Sequence, residues 1–264
     1  MNLEQMTKDT CHLVKEVGAF IQTEASHFSN DKVEVKSFNQ LVSYVDKTAE
    51  ERLVEGLKKT FPAAGFITEE ETIASEQKEY MWVIDPLDGT TNFIHQLPVY
   101  SISIGLLHHN KPIVGVVFEP NRNELFYGWK DGGAYLNGKK ISVRKNTVLM
   151  DSLMATGFPY YDFGLIDLYL ETLKEIIRTT RGMRRMGSAA VDLAYVACGR
   201  FDGFFEYGLN PWDIAGGILL INEAGGKVTS FDGSDNALFG GEIIAASEAI
   251  YPAFSEVIRR GFRK

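Results

Sequence analysis

The spacing of apolar residues divides the chain into three regimes. Over residues 3–28, Leu13, Val17, Ile21 and Phe28 recur at helical intervals among polar residues, which predicts an amphipathic helix. A second helix is predicted over 47–60, where Ala49, Leu53 and Leu57 share one side and Pro62 stands just past the end. The pattern then changes to short, dense apolar runs. MWVID (81–85), halted at Pro86, reads as a buried strand, and SISIGLL (101–107), IVGVVF (113–118) and ELFYGW (124–129) follow. The HNKP and EPNRN turns between the last three predict antiparallel hairpins. From about residue 150, strand-like and helical segments alternate. DSLMATG, FDGFFEY and EIIAAS read as strands, and helices are predicted over 165–178, 188–198 and 211–224. Ile250, Phe254, Val257 and Ile258 mark a last helix. This order predicts one α/β unit over 1–264 with helices layered on sheet, and two lobes, 1–145 and 146–264.

Composition narrows the function. The chain has 264 residues, 45% hydrophobic and 23% charged, an ordinary globular balance. Its 27 basic and 35 acidic side chains leave a net charge of −8, which disfavours nucleic acid as a partner and suits cations. Cys11 and Cys198 are too few and too far apart for a disulfide scaffold or a thiolate zinc site. The five histidines, His12, His27, His95, His108 and His109, fit no ligand spacing. The start MNLEQMTKDT has no basic segment followed by an apolar one, and no apolar run approaches a membrane span. A cytoplasmic protein that does not enter membranes is expected.

Three acidic elements carry the candidate chemistry. In Ile84-Asp85-Pro86-Leu87-Asp88-Gly89-Thr90-Thr91-Asn92-Phe93, a strand delivers Asp85, and Asp88 follows just before a turn that opens into a short helix. Carboxylates beside outward-pointing N–H groups make chemical sense where cations join them to a phosphate. The same residue types also make an ordinary turn. In Phe66-Ile67-Thr68-Glu69-Glu70-Glu71, a strand could aim one acid beside Asp85, although three adjacent acids are commonly a solvated face. In Asn210-Pro211-Trp212-Asp213-Ile214-Ala215-Gly216, helix capping by Asn210 and Asp213 explains the pattern without any chemistry. Asp46, where the second helix begins, reads locally as an N-cap, and Lys36 as a surface strand residue.

Their combination is what distinguishes them. Two carboxylates about 4 Å apart repel by roughly 4 kcal/mol at an effective dielectric near 20. Three or four in one pocket would cost several times that, against a total stability of about 5–15 kcal/mol. Such a group must spread out, take up protons or bind cations. An all-oxygen ligand set selects hard ions, Mg²⁺ above all.

With these residues in place, the chain resembles the inositol monophosphatases, Mg²⁺-dependent, lithium-sensitive phosphatases related to fructose-1,6-bisphosphatase. Asp85-Pro-Leu-Asp-Gly-Thr-Thr-Asn-Phe93 is similar to the family's first signature and Trp212-Asp-Ile-Ala-Gly-Gly217 to its second. Asp46 and Glu69 precede them, and Gly187-Ser188-Ala189-Ala190 and Glu206 fall between. The resemblance implies a layered α/β/α/β/α sandwich, a homodimer, and two or three Mg²⁺ ions. It implies a first ion on Glu69, Asp85 and the Leu87 carbonyl, a second on Asp85, Asp88 and Asp213, and a weaker third near Glu69. Asp46 and Thr90 would orient or activate the attacking water, with Glu69 also catalytic. The Gly89 and Thr90 amides would receive the phosphate. Asp88, Ala189 through its backbone, Glu206 and Asp213 would face the substrate hydroxyls, with Lys36 near the site. Thr68 stands where the family commonly has Gly, which leaves the choice of Glu69 open to a one-residue shift, and Ser188 replaces a common Thr.

The activity so implied is hydrolysis of myo-inositol monophosphate by direct in-line attack of water. Alternatives within the superfamily are 3′-phosphoadenosine 5′-phosphate, fructose 1,6-bisphosphate, histidinol phosphate and NADP⁺, for which Arg181, Arg184 and Arg185 could supply basic contacts. An alternative of another class is a regulatory scaffold that contacts transcription machinery or RNA, with Arg259, Arg260, Arg263 and Lys264 as a basic tail.

Overall fold

The computed structural model describes residues 1–27, 33–37, 40–159 and 163–262, with 33–37 and 40–42 described by backbone alone. The amphipathic N-terminal segment forms α1 (Leu3–Ala25), whose buried stripe includes Val14, Val17 and Ile21. Phe28 lies outside the described residues. The strands β1 (Val33–Ser37) and β2 (Gln40–Ser43) pair antiparallel, and Lys36 lies on the first, where only the backbone is described. Helix α2 (Tyr44–Thr60) starts three residues before the predicted position, because Ser43 is the N-cap. Asp46 is the partner in that capping box rather than the cap itself.

A seven-stranded sheet follows, made in spatial order of β3 (Gly65–Thr68), β4 (Tyr80–Asp88), β5 (Ser101–His108), β6 (Lys111–Glu119), β7 (Glu124–Trp129), β8 (Gly133–Leu136) and β9 (Lys139–Lys140). Only β3 and β4 run parallel; the other pairs are antiparallel, as the hairpin turns predict. Strand β4 runs past Pro86, where the sequence predicts a stop. Its register against β5 moves from Asp85–Ser103 to Asp88–Ser101, so three steps on β4 oppose two on β5. That bulge accommodates a residue without an N–H. Helix α3 (Thr90–Ile94) follows.

The second sheet has the order β11 (Gly182–Arg184), β10 (Leu153–Thr156), β12 (Gly203–Tyr207), β14 (Glu242–Ser247) and β13 (Gly226–Thr229). Between its strands run α4 (Ile166–Thr179), α5 (Ala189–Ala197), α6 (Pro211–Glu223) and α7 (Ala237–Gly240), and α8 (Tyr251–Phe262) ends the described chain. The changeover between sheets falls between Lys140 and Leu153.

Alternation along the strands fixes the layers. Trp82 and Ile84 of β4 join Val14, Ile21 and Leu53 on one side of the seven-stranded sheet. Met81 and Val83 point the other way, into a core shared with Leu193 of α5, Ile214 and Leu220 of α6, and Ala245 of β14. The far face of the second sheet packs Phe205 and Ile244 against Tyr169 of α4 and Phe254 of α8. The result is α1/α2, sheet, α5/α6, sheet, α4/α8: a layered α/β/α/β/α sandwich.

Helix α6 is buried without a break from Ile214 to Ile221. Two glycines let its neighbours come close. A Cβ on Gly216 would lie 2.9 Å from the Ile104 carbonyl, and one on Gly217 would lie 2.6 Å from the Leu193 Cβ. Gly115 of β6 completes the approach, since a Cβ there would fall 2.5 Å from the Gly216 carbonyl oxygen. The sequence Ala215-Gly216-Gly217 thus seats α6 against both a sheet and a helix, directly behind Asp213.

Candidate active site

Four segments deliver carboxylates to one end of β4. Parallel pairing of β3 with β4 aligns Thr68 with Ile84, and the Glu69 amide donates to the Ile84 carbonyl at 3.3 Å, so Glu69 emerges beside Asp85. A side-chain hydrogen bond joins Glu69 to Asp85, which selects it from the three adjacent acids. The Glu70 amide donates to Glu50 Oε2 at 2.7 Å, and Glu71 is exposed with φ +53°.

Asp85 is buried, and its Oδ1 accepts the Leu87 amide at 2.9 Å, a bond formed inside the bulge. Burial first, then the charges of Glu69, Asp88 and Asp213, push its carboxyl well above the usual range. A further hydrogen bond links Asp85 to Asp213, whose own carboxyl is raised by burial and by Asp88. Asp213 also accepts the Asn210 amide at 2.6 Å, the capping bond that the sequence predicts. Capping and membership of the acid cluster are therefore compatible: one carboxylate does both.

Asp88, at the end of β4, reaches toward α5. Its Oδ2 accepts the Ser188 hydroxyl at 2.6 Å and the Ala190 amide at 2.7 Å, and the Ala189 amide also turns to it. Burial lifts its carboxyl to about 6 against those donors. Gly89, with φ +100°, makes the left-handed turn into α3 that a residue with a Cβ would resist. Asn92 braces the site: its Nδ2 donates to the Val99 carbonyl at 2.7 Å and the Met186 carbonyl at 2.8 Å, tying the first signature to the loop before α5.

Asp46 reaches the cluster from α2. Its Oδ2 accepts the Ser43 amide at 2.8 Å and the Ser43 hydroxyl at 2.6 Å, and its Oδ1 lies 3.0 Å from the Thr90 hydroxyl. Thr90 Oγ1 is also 3.1 Å from the Leu87 carbonyl. One proton serves either acceptor, and the oxygen lone pairs stay available to a water. Burial raises the Asp46 carboxyl despite the Ser43 donors.

Glu206 of β12 is buried, and a Cβ on Gly157 would lie 1.9 Å from its Oε1. Burial pushes Glu206 to about 8, with Arg185 opposing and Asp88 adding to the rise. Of the three arginines before Gly187, only Arg185 acts on this group of acids. Arg181 pairs with Asp151 at 2.8 Å, and exposed Arg184 donates to the Met183 carbonyl. The C-terminal arginines are likewise engaged within the chain, Arg259 with Tyr251 and Arg260 with Glu175, while Arg263 and Lys264 lie outside the described residues.

Two acids escaped the sequence reading. Glu50, fully buried one turn after Asp46, accepts the amides of Glu70 and Thr72 and the Thr72 hydroxyl at 2.7–2.8 Å, which shapes the loop carrying Glu69. Its position beside Ala49 and Leu53 on the apolar stripe was the available signal. Asp192 of α5 is buried, and its Oδ1 has no hydrogen-bond partner among the described residues. Burial, Glu206 and Asp88 raise its carboxyl well above the usual range. Nothing in the pattern of an otherwise apolar helix singles it out.

The donor chemistry fits hard divalent cations. Side-chain hydrogen bonds join Glu69 to Asp85 and Asp85 to Asp213, an arrangement of buried acids that calls for protons or cations to neutralise it, and the donors are oxygen throughout.

Comparison with known proteins agrees with this geometry. The pattern of the inositol monophosphatase family matches residues 2–260. The inositol-1-monophosphatase of Rhizobium meliloti is 40% identical over 248 residues, covering 94% of this chain and 93% of that protein. Nus factor SuhB of Escherichia coli K12 is 42% identical over 219 residues, covering 83% and 82%. The structure of inositol monophosphatase from Anabaena superposes with a TM-score of 0.88 at 37% identity, covering 98% of this chain and 97% of that one. The chain belongs to the inositol monophosphatase family, a family of metal-dependent phosphatases.

Proposed function

We propose that the protein hydrolyses myo-inositol monophosphate to myo-inositol and phosphate, with Mg²⁺ as cofactor. The observation that carries this reading is the convergence of Glu69 from the end of β3, Asp85 and Asp88 from β4 and Asp213 from the start of α6. These four side chains and the Leu87 carbonyl would hold two or three ions. When bound, such ions supply Lewis-acid polarisation of the phosphoryl group and make water a nucleophile near neutral pH.

The chain's own residues do the positioning. The Thr90 hydroxyl, directed by Asp46, presents lone pairs that orient a water toward phosphorus. The Gly89 and Thr90 amides receive the phosphoryl oxygens. Asp88, Glu206, Asp213 and the Ala189 backbone line the side where a polyol's hydroxyls would lie, and several carboxylates there suit a ligand rich in O–H donors. Arg185 would tolerate a second phosphate, so bisphosphates are the competing substrates. A second copy of the chain is proposed to cover the α4 face, where Leu170 and Ile177, seven residues apart, are exposed.

The test is phosphate release from a panel of polyol monophosphates and bisphosphates, with Mg²⁺ titrated and Li⁺ added. Preference for inositol monophosphate, dependence on Mg²⁺ and inhibition by Li⁺ are expected. Faster turnover of a bisphosphate would overturn the substrate assignment. A second reading, contact with transcription machinery, is favoured by the name Nus factor carried by several relatives. Binding to that machinery that persists in Asp85→Asn without divalent ions would establish it as separate from catalysis.

A further inference from the structure

Glu79, His108 and His109 meet at the end of the seven-stranded sheet remote from the acid cluster. Glu79 immediately precedes β4, and Tyr80, the first residue of that strand, pairs with His108, the last of β5. Tyr80 and Asp85 are five residue steps apart, which at about 3.3 Å each puts roughly 16 Å between the two ends. His108 Nε2 lies 2.9 Å from Glu79 Oε1, and His109 Nε2 lies 3.7 Å from the same oxygen. One ligand atom from each of the three residues falls within 4.8 Å of the others.

Sequence spacing points to no histidine ligand set; the backbone turn nevertheless brings two histidines together. Neighbouring residues on a strand face opposite ways. Here the strand ends between the two histidines. His109 and Asn110 take φ of +48° and +62°, the paired positive values of a tight hairpin, and this turn swings the second ring back beside the first. The His109 amide donates to the Glu79 carbonyl at 3.1 Å, fixing the turn to the segment that carries the acid. A column of rings holds the imidazoles. Phe61 meets Tyr80 edge-on at 5.2 Å, Tyr80 stacks on His108 at 4.4 Å with planes 5° apart, and His109 follows at 4.2 Å.

A tetrahedral ion with ligands at about 2.0–2.1 Å holds its donor atoms roughly 3.3–3.5 Å apart. The observed separations of 2.9 and 3.7 Å straddle that range. We propose that Glu79, His108 and His109 form a second cation site, for a borderline divalent ion of the zinc class, with water completing the shell. Two imidazoles and one carboxylate are a zinc-type donor set, whereas the oxygen-only cluster at the other end of β4 suits magnesium. All three side chains are partly exposed, at 36% for His108, 71% for His109 and 56% for Glu79, so the ion enters without any opening of the fold. It would clamp the β5–β6 turn to the start of β4, and binding to the folded state alone would raise thermal stability.

The test is calorimetric titration of the full-length protein with Zn²⁺ while Mg²⁺ is held in large excess to occupy the acid cluster. One further equivalent of Zn²⁺ is expected. Its affinity should fall at least about tenfold in His109→Gln, and the equivalent should vanish in the His108→Gln/His109→Gln double variant. Mg²⁺-dependent phosphate release by His109→Gln should match the parent, which also reports intact folding. With Cu²⁺ as the probe, nitrogen hyperfine structure in the electron paramagnetic resonance spectrum should appear in the parent and be absent from the double variant. Undiminished Zn²⁺ uptake by the double variant, or no uptake beyond the acid cluster in the parent, would overturn the site.

Discussion

The two ends of strand β4 gather similar numbers of ligating groups and differ in nearly everything else. At one end Asp85 and Asp88 gather with Glu69 and Asp213, and burial and mutual repulsion raise the carboxyls of Asp85, Asp88 and Asp213. At the other, Glu79 and two histidines stand at the surface on a hairpin turn. Burial makes the first cluster unstable unless its charge is neutralised, so its need for a cation follows from electrostatics. The second cluster pays no such penalty and would hold an ion only through donor type and ring placement. A cation can thus be demanded by buried charge or merely accommodated by preset geometry.

The largest expected effect comes from the demanding end. Asp85→Asn should lower Mg²⁺-dependent phosphate release about a thousandfold, since several kcal/mol of charge stabilisation are lost, and circular dichroism should report an unchanged fold. Near-parental turnover would break the contrast at once.

Packing behind the acid cluster should matter next. Gly115→Ala places a Cβ against the Gly216 carbonyl oxygen, and overpacking of this kind costs about 1–3 kcal/mol. Chemical denaturation should register the loss, and kcat should fall with it because α6 carries Asp213.

The pH dependence of the metal-free protein separates the two ends more finely. Glu206 sits at about 8 in the folded state, above its ordinary value of 4.5. A raised carboxyl stabilises the protonated folded form, so its contribution is fully present below pH 4.5 and is lost as pH rises through 8. Glu206→Gln should therefore be more stable than the parent at pH 8.5, by at least about 1.4 kcal/mol, and similar to it at pH 4.5. Melting temperatures at the two values check the sign; an equal shift at both would contradict it.

The smallest effect belongs to the surface end. Without zinc, His109→Gln should change stability by less than about 0.5 kcal/mol, as exposed substitutions commonly do. With zinc, only the parent should gain melting temperature.

Much of this was legible in the chain. The dense apolar runs MWVID and IVGVVF, the HNKP and EPNRN turns and the Asn210-Pro211 start placed most elements within a few residues, because these are local preferences expressed locally. Asp85, Asp88 and Asp213 stood out through their signatures and Asp46 and Glu69 through their order before them, while the place of Glu69 beside Asp85 follows only from the parallel β3–β4 register. What could not be read depends on distant partners. Strand β4 continues through Pro86 because β5 tolerates the bulge, Glu50 is recruited by a loop twenty residues on, and Arg185 lies near the acids while Arg181 pairs with Asp151. The β8, β9, β11 and β13 strands are four residues or fewer and carry little pattern of their own.

Helix α6, enclosed by a sheet on each side, has 13 residues and so spans about 20 Å. With both flanks occupied it behaves as a lever clamped along its length. Asp213 rides at its tip, so a slip of either sheet by a fraction of an ångström would be passed on to that carboxylate undamped. The molecule has in effect coupled the alignment of its two halves to the placement of a single oxygen pair.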